Sequence, residues 1–289
     1  MKKILALFLA ALMVFSLAAC GGNSGDSEKP EETAAKVKIV DINLTEEQYA
    51  FGVDKAQPEL LEKVNAFIAK IMEDGTFDEI CNKYFGDGTP TPVKSAKKDT
   101  SKDQLVVATN AAFAPFEYME GDSYYGIDME IAALLAEELG QELVIDNMKF
   151  DSVCLSVGEH KCDIAMAGLT INEKRKESVN FSDSYYNAYQ KLIVKADDTT
   201  FDNCKTAADV DALINAGDGS KKVGYQNGTT GNFYVVGDAD WGFDGLKVQP
   251  KGYDNGALAV QDLLNGNIDY VMIDADPAVR IVENFNAVG

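Results

Sequence analysis

Apolar and polar positions change period several times along the chain, and the changes mark its elements. Ile4 to Ala19 is an unbroken apolar run behind Lys2 and Lys3. Residues 21–35 are small, polar and acidic, without periodicity. Val37 to Val40 then alternates around Lys38, and Tyr49 to Val53 is a second strand candidate. From Pro58 onward, Leu60, Leu61, Val64, Phe67, Ile68 and Ile71 recur at three- and four-residue spacing. That spacing predicts a helix with one buried face, opened by its proline and stopped by Gly75. A short helix, Phe77 to Phe85, follows and ends at Gly86. Residues 87–103 are polar again and read as a linker.

After the linker the pattern alternates. Strands are expected at Leu105 to Thr109, Leu143 to Ile145, Asp163 to Ala167, Lys191 to Lys195, Lys222 to Gln226 and Tyr270 to Ile273. Between them come helices from about Met129 to Leu139 (capped by Asp128 and stopped by Gly140), after Asp151, from about Ala257 to Leu264, and after Pro277. Such alternation argues for an α/β fold with largely parallel sheets.

Composition narrows the function. The chain has 289 residues, 46% apolar and 25% charged, long enough for two lobes with separate cores. A net charge of −21 argues against nucleic acid and against an anionic membrane surface as partners. A single histidine, His160, leaves little material for histidine-based catalysis or metal binding, and no metal or cofactor is expected. The apolar run is too short to span a bilayer comfortably and reads as a secretory signal peptide, residues 1–19. It ends in Leu17-Ala18-Ala19-Cys20, which resembles the bacterial lipoprotein cleavage site, so Cys20 is expected to carry acyl chains. Residues 20–36 would then be a flexible tether, and the protein would sit on the outer face of the cell membrane. Export permits disulfides. Cys154 and Cys162 are close enough in sequence to pair, and free thiols are the equal alternative.

Four stretches fall just past predicted strands, where ligands bind in open α/β sheets. They are Ala108 to Tyr118, the segment around Phe150, Ala167 to Tyr186, and Tyr225 to Tyr234; Asp274, closing the last strand, is a fifth. Arg175, Thr170 and the Gly228-Thr229-Thr230 turn offer donors for an anion, and guanidinium matches carboxylate in a bidentate way. Asp274 offers a charge for a cation, and Phe113 and Phe150 offer apolar walls. Together these suit a zwitterion, a free α-amino acid. Each residue also has a plainer reading: Arg175 as one charge of a solvated turn, Phe113 and Phe150 as core, Asp274 as a helix N-cap, Trp241 as packing.

The runs ATNAAFAPFEY, YGIDMEIAALLAEELG, D-x-A-x-A-G-x-T, T-x5-R, FSDSYY, GTTG and GNIDYVMIDADPA stand in unbroken order over residues 104–285. Together they closely resemble the polar amino-acid-binding proteins of ABC importers, extracellular solute-binding protein family 3. The resemblance implies a type II periplasmic-binding-protein clamshell, two lobes each built on a mostly parallel sheet flanked by helices. It implies that Gly168, Thr170 and Arg175 receive the α-carboxylate, that Thr230 adds to it from the other lobe, and that Asp274 takes the α-amino group. Phe113 and Phe150 would flank the ligand, and Asn110 and Gln226 would face its side chain. With Asn110 uncharged and no clear spare basic or acidic group, a neutral amino acid is expected.

The family's usual C-terminal piece is missing from the end of this chain, yet residues 36–86 look like it: KVKIVDINLTEEQYAFGVDK, then PELLEKVNAFIAKIMEDGTFDEICNKYFG. The resemblance therefore implies a circular permutant, with a family fragment fused ahead of a truncated protein as the alternative. Residues 47–86 plus 104–195 would form lobe 1, 87–103 the joining linker, and 37–46 plus 196–289 lobe 2. The resemblance implies a monomeric receptor that delivers an amino acid to ABC permease subunits, with no reaction catalysed. A cyclohexadienyl-dehydratase-like enzyme on the same fold and an amino-acid-sensing or adhesin module are the alternatives.

Overall fold

A computed structural model describes residues 34–287. The expected signal peptide, Cys20 and most of the expected tether lie outside the described residues. Two five-stranded sheets form two lobes. The first sheet runs in the order Val179–Phe181, Gly52–Asp54, Ile164–Ala165, Gln104–Thr109, Glu142–Asn147. The second runs Val37–Val40, Gln190–Lys195, Tyr270–Asp274, Lys222–Gln226, Gln249–Tyr253. In each sheet the last three strands are parallel, and the first two are antiparallel to their neighbours. The sheets are therefore mixed rather than largely parallel. The βα alternation sets the parallel strands, whereas the antiparallel ones adjoin the crossings, Val37–Val40 and Val179–Phe181 before them and Gly52–Asp54 and Gln190–Lys195 after them.

Between the sheets the chain crosses twice, side by side. Glu47–Tyr49 pairs antiparallel with Tyr186–Ala188. The single strand expected from Tyr49 to Val53 is thus two, broken at Ala50 and Phe51. The crossing also corrects an expected boundary. Gln190–Lys195, assigned from sequence to the first lobe, lies in the second sheet between Val37–Val40 and Tyr270–Asp274. Leu192, Ile193 and Val194 are all buried there, since this strand is covered on both faces. The chain changes lobes at residues 186–189, before that strand.

The helix expected from Pro58 spans Pro58–Glu73 and buries Val64, Phe67, Ile68 and Ile71. Each such side chain contributes roughly 2 kcal/mol by leaving water. Thr76–Phe85 follows, after Gly75 in the left-handed region at φ 85°. Both helices pack on the first lobe, next to the stretch predicted to bind ligand. Asn65 Oδ1 accepts from the Asp183 N–H at 2.9 Å, and Phe77 meets the ring of Tyr185 edge-on. The next helix starts earlier than its Asp128 suggested. It spans Ile127–Leu139 behind Gly126, and Asp128 is a buried residue inside its first turn. Gly126 has φ 123°, and a Cβ there would come within 2.1 Å of the Phe116 carbonyl oxygen, so the entry to this helix requires glycine.

Residues 87–103 are held against the first lobe despite their polar composition. Val93 is buried and exchanges backbone hydrogen bonds with Tyr124, and the Ala96 N–H donates to the Leu143 carbonyl. Glu130 anchors the start of the segment, accepting from Lys83 Nζ at 2.5 Å, Tyr84 Oη at 2.7 Å and the Thr91 N–H at 2.9 Å. The described cysteines, Cys81, Cys154, Cys162 and Cys204, are free thiols, so Cys154 and Cys162 do not pair. Among the described residues, no helix is long and apolar enough to cross a membrane.

Glu130 is 5% exposed, and its removal leaves three donors without their acceptor. Glu130→Ala should lower unfolding stability by about 3 kcal/mol, the cost typical of breaking a buried charged pair. Urea denaturation measures this, and a loss below about 1 kcal/mol, the scale of an exposed ion pair, would show that the segment is held by other contacts.

Candidate functional site

The two crossing segments bring the carboxyl ends of the parallel strands of both sheets face to face. From the first lobe come Asn110, Phe113, Phe150, Gly168, Thr170 and Arg175. From the second come Gln226, Gly228, Thr230 and Asp274. The centre is filled by a residue that no motif singled out: Glu47, on the first crossing segment and 8% exposed. Its Oε2 accepts from Thr170 Oγ1 and from Thr230 Oγ1, both at 2.6 Å. The two hydroxyls, one from each lobe, are 3.2 Å apart. Its Oε1 accepts from Thr45 Oγ1 at 2.6 Å and from Gln190 Nε2 at 3.0 Å. Four neutral donors thus surround one carboxylate.

Arg175 bridges the lobes as well. It opens a 3-10 turn, Arg175–Glu177, rather than a helix. Its Nη1 donates to the Thr170 carbonyl at 2.7 Å, and its Nη2 to the Gly228 carbonyl at 3.0 Å. The guanidinium lies 5.3 Å from the Phe150 ring centroid and 5.2 Å from that of Trp241. This cation–π sandwich is built with one ring from each lobe. Burial pulls the Arg175 pKa down, while Cys154, Glu47 and Asp274 act the other way. Trp241, read from sequence as packing, does pack, stacking on Phe233 at 4.9 Å, but its other neighbour is Arg175. Phe150 covers the arginine in this structure.

Other predicted residues are also brought together, with partners the sequence did not indicate. Asn110 and Gln226 meet across the lobes, Gln226 Nε2 donating to Asn110 Oδ1 at 3.0 Å. The Gly168 N–H, expected to face a carboxylate of the ligand, donates instead to Asp128 Oδ2 at 2.9 Å. Gly168 has φ 53°, and a Cβ would press on Phe113 at 3.2 Å and Tyr49 at 3.3 Å. The glycine is thus explained by the turn and the two rings beside it. Phe113 itself is 6% exposed and packs on Phe116, more core than wall.

The acidic groups are unusual. Asp274 is 5% exposed and accepts from Tyr49 Oη at 2.5 Å. Burial, then the charge of Glu47, pushes its pKa up to about 7. Asp128 is fully buried, accepts from Tyr185 Oη at 2.6 Å and from Gly168, and is also pushed by burial to about 7. Glu117 is fully buried, and neither of its carboxyl oxygens has a hydrogen-bond partner. Burial raises its pKa well above the ordinary range, and Asp128 and Asp274 add to the shift. Desolvation opposes charge at all three positions.

The family model for bacterial extracellular solute-binding proteins, family 3, matches residues 10–87 and 105–269, most of the chain. The chain belongs to that family. Among its relatives, the arginine-binding extracellular protein ArtP of Bacillus subtilis is 36% identical over 99 residues, 34% of this chain and 39% of that protein. A probable histidine-binding protein of Neisseria gonorrhoeae is 30% identical over 184 residues, 63% of each chain. This family 3 chain therefore spans between two fifths and two thirds of the length of the curated relatives it matches. Among solved structures, an ancestral arginine-binding protein bound to arginine is similar with a TM-score of 0.54 and 32% identity, covering 63% of this chain and 75% of that one. The ancestral amino acid-binding protein AncCDT-1, a precursor of cyclohexadienyl dehydratase, aligns with a TM-score of 0.53 and 29% identity over 63% and 74% of the two chains. These neighbours place the family 3 chain in the two-lobed type II fold.

The raised pKa values fix a sign for stability. Asp274 and Asp128 bind protons more tightly folded, near pH 7, than unfolded, near pH 4. Between those values the native state holds more protons, so stability falls as pH rises. The thermal midpoint of the ligand-free protein should therefore be higher at about pH 5.5, inside that range, than at about pH 8, above it. A midpoint that rises from pH 5.5 to 8 would contradict buried, protonatable carboxyls at these positions.

Proposed function

We propose that this protein is an extracellular receptor that closes its two lobes on a free amino acid and delivers it to an ABC importer. The observation that carries the reading is the convergence of Thr170 and Thr230, one from each lobe, on a single carboxylate oxygen at 2.6 Å. The cleft is built as a carboxylate receptor, with Arg175 beside it and Asp274 available for an ammonium group. Names of relatives support the ligand class: arginine-, histidine- and cystine-binding proteins stand among them. Asn110 and Gln226, uncharged and facing each other across the lobes, favour a neutral side chain in this chain's ligand. Closure is a hinge motion about residues 47–49 and 186–188, and no bond is made or broken. The sequence Leu17-Ala18-Ala19-Cys20 supports anchoring through an acylated Cys20 on the outer face of the cell membrane.

A circularly permuted order also belongs to this proposal. The family model matches two segments that flank residues 88–104. The two ancestral neighbours align with 63% of the chain. The strand Val37–Val40 completes the second sheet, and its start touches the far end of the described chain. Asn286 Oδ1 accepts from the Lys36 and Val37 N–H groups at 2.8 and 3.2 Å, and Asn286 Nδ2 donates to the Val37 carbonyl at 2.9 Å. In this reading residues 47–86 and 104 to about 189 make lobe 1, 87–103 join the ancestral ends, and 37–46 with the remainder to 289 make lobe 2.

Two experiments test the proposal. A thermal-shift screen of the twenty amino acids should find a neutral one that stabilises the protein, by roughly 2.7 kcal/mol at 100 times its dissociation constant. Arg175→Ala should abolish that shift while the protein still melts cooperatively. Shifts with lysine or arginine alone would refute the neutral ligand, and no shift with any amino acid would refute the receptor. A chain re-ordered to run 104–289 and then 36–86 should fold and show the same ligand preference. Failure of the re-ordered chain to fold would count against the permutation.

A further inference from the structure

Resting on the receptor reading above, we propose that Glu47 is a built-in occupant of the anion site, holding the two lobes together until a ligand's carboxylate displaces it. Three observations carry this. First, the hydroxyls of Thr170 and Thr230 both donate to Glu47 Oε2, and these are the groups that would receive a ligand's carboxylate. A carboxylate arriving from solution meets the same donors and offers the same chemistry, so ligand and Glu47 compete for one place. Second, Glu47 belongs to neither sheet. It stands on the crossing segment, and its Oε1 is held by Thr45 and Gln190, which face each other where the two crossings join the second lobe. The side chain is therefore positioned from the second-lobe end of the crossings and can leave the threonines without displacing a strand of either five-stranded sheet. Third, the other groups of the site are closed on protein partners in the same arrangement. Arg175 is spent on the Thr170 and Gly228 carbonyls, Asn110 on Gln226, and Asp274 on Tyr49. Thr170, Arg175 and Asn110 each tie one lobe to the other, directly or through Glu47.

The consequence is quantitative. A site whose competent form is only partly populated binds with an affinity reduced by that fraction. Glu47 thus lowers affinity, and it favours a closed form when no amino acid is bound. The ligand has to break the Glu47 contacts, and it regains them with its own carboxylate plus Arg175.

The chain supplies its own reporter. Trp241 is its single tryptophan, and it lies against Arg175 across the lobes. Opening exposes the indole to water and shifts its emission to the red. Glu47→Ala should red-shift ligand-free emission relative to the wild type. By calorimetry with the twenty amino acids, whichever binds the wild type should bind the variant about tenfold more tightly. Glu47→Gln, which keeps the volume and one acceptor, should shift both readouts in the same direction by less, and guards against a variant that simply fails to fold. Unchanged emission in both variants would overturn the proposal. So would weaker amino-acid binding, since Glu47 would then be a contact to the ligand rather than its stand-in. If no amino acid binds any of the three proteins, the receptor reading falls, and the emission comparison still decides whether Glu47 latches the lobes.

Discussion

Everything in this molecule depends on the chain passing between its two sheets twice in the same place. Glu47–Tyr49 and Tyr186–Ala188 cross as one antiparallel pair. Each crossing then delivers an antiparallel strand to a sheet: Gly52–Asp54 to the first and Gln190–Lys195 to the second. Two adjacent, hydrogen-bonded crossings join the lobes side by side. They also fix which strand ends face each other. The cleft lies at the carboxyl ends of the parallel strands because the crossings enter there.

The cleft is electrostatically lopsided. Glu47, Asp274, Asp128 and Glu117 are buried in or behind it, with Arg175 as the neighbouring cation that senses Glu47 and Asp274. Such an arrangement persists because hydroxyl and amide donors replace water around three of the carboxyls: threonines for Glu47, tyrosines for Asp274 and Asp128. Glu117 has no such partner, and burial raises its pKa well above the ordinary carboxyl range. Arg175 keeps its place through the two rings that sandwich it, a setting in which a planar, weakly hydrated cation is stabilised and a lysine ammonium would not be.

Much of the secondary structure was legible, and the errors have physical causes. Pro58–Glu73 and Thr76–Phe85 carry strong amphipathic period and clear stops, so the expected helices match closely. The edge strand Gln249–Tyr253 escaped notice because QPKGY contains Pro and Gly and is mostly exposed, tolerable only at an edge. Gln190–Lys195 was recognised as a strand but given to the wrong lobe, because an apolar run reveals burial and not the sheet that buries it. Asp128 looked like a cap, since an acidic residue before an apolar helix usually is one. It is instead an acceptor for Gly168 and Tyr185, which are 40 and 57 residues away.

The sequence alone determined the α/β class, the apolar faces and the residues that gather at the strand ends, because periodicity, turn chemistry and motif order are local properties. The family resemblance assigned Arg175, Thr170, Thr230 and Asp274 to one site, and the geometry does gather them. Only the tertiary structure decided how they are engaged. Glu47 sits in an undistinguished run, LTEEQY, and its meaning comes from Thr170 and Thr230, 123 and 183 residues further on. Trp241 likewise gains its place beside Arg175 only from the way the two lobes meet. Contacts between the lobes are set by the relative placement of two sheets far apart in sequence, and no local pattern records that placement.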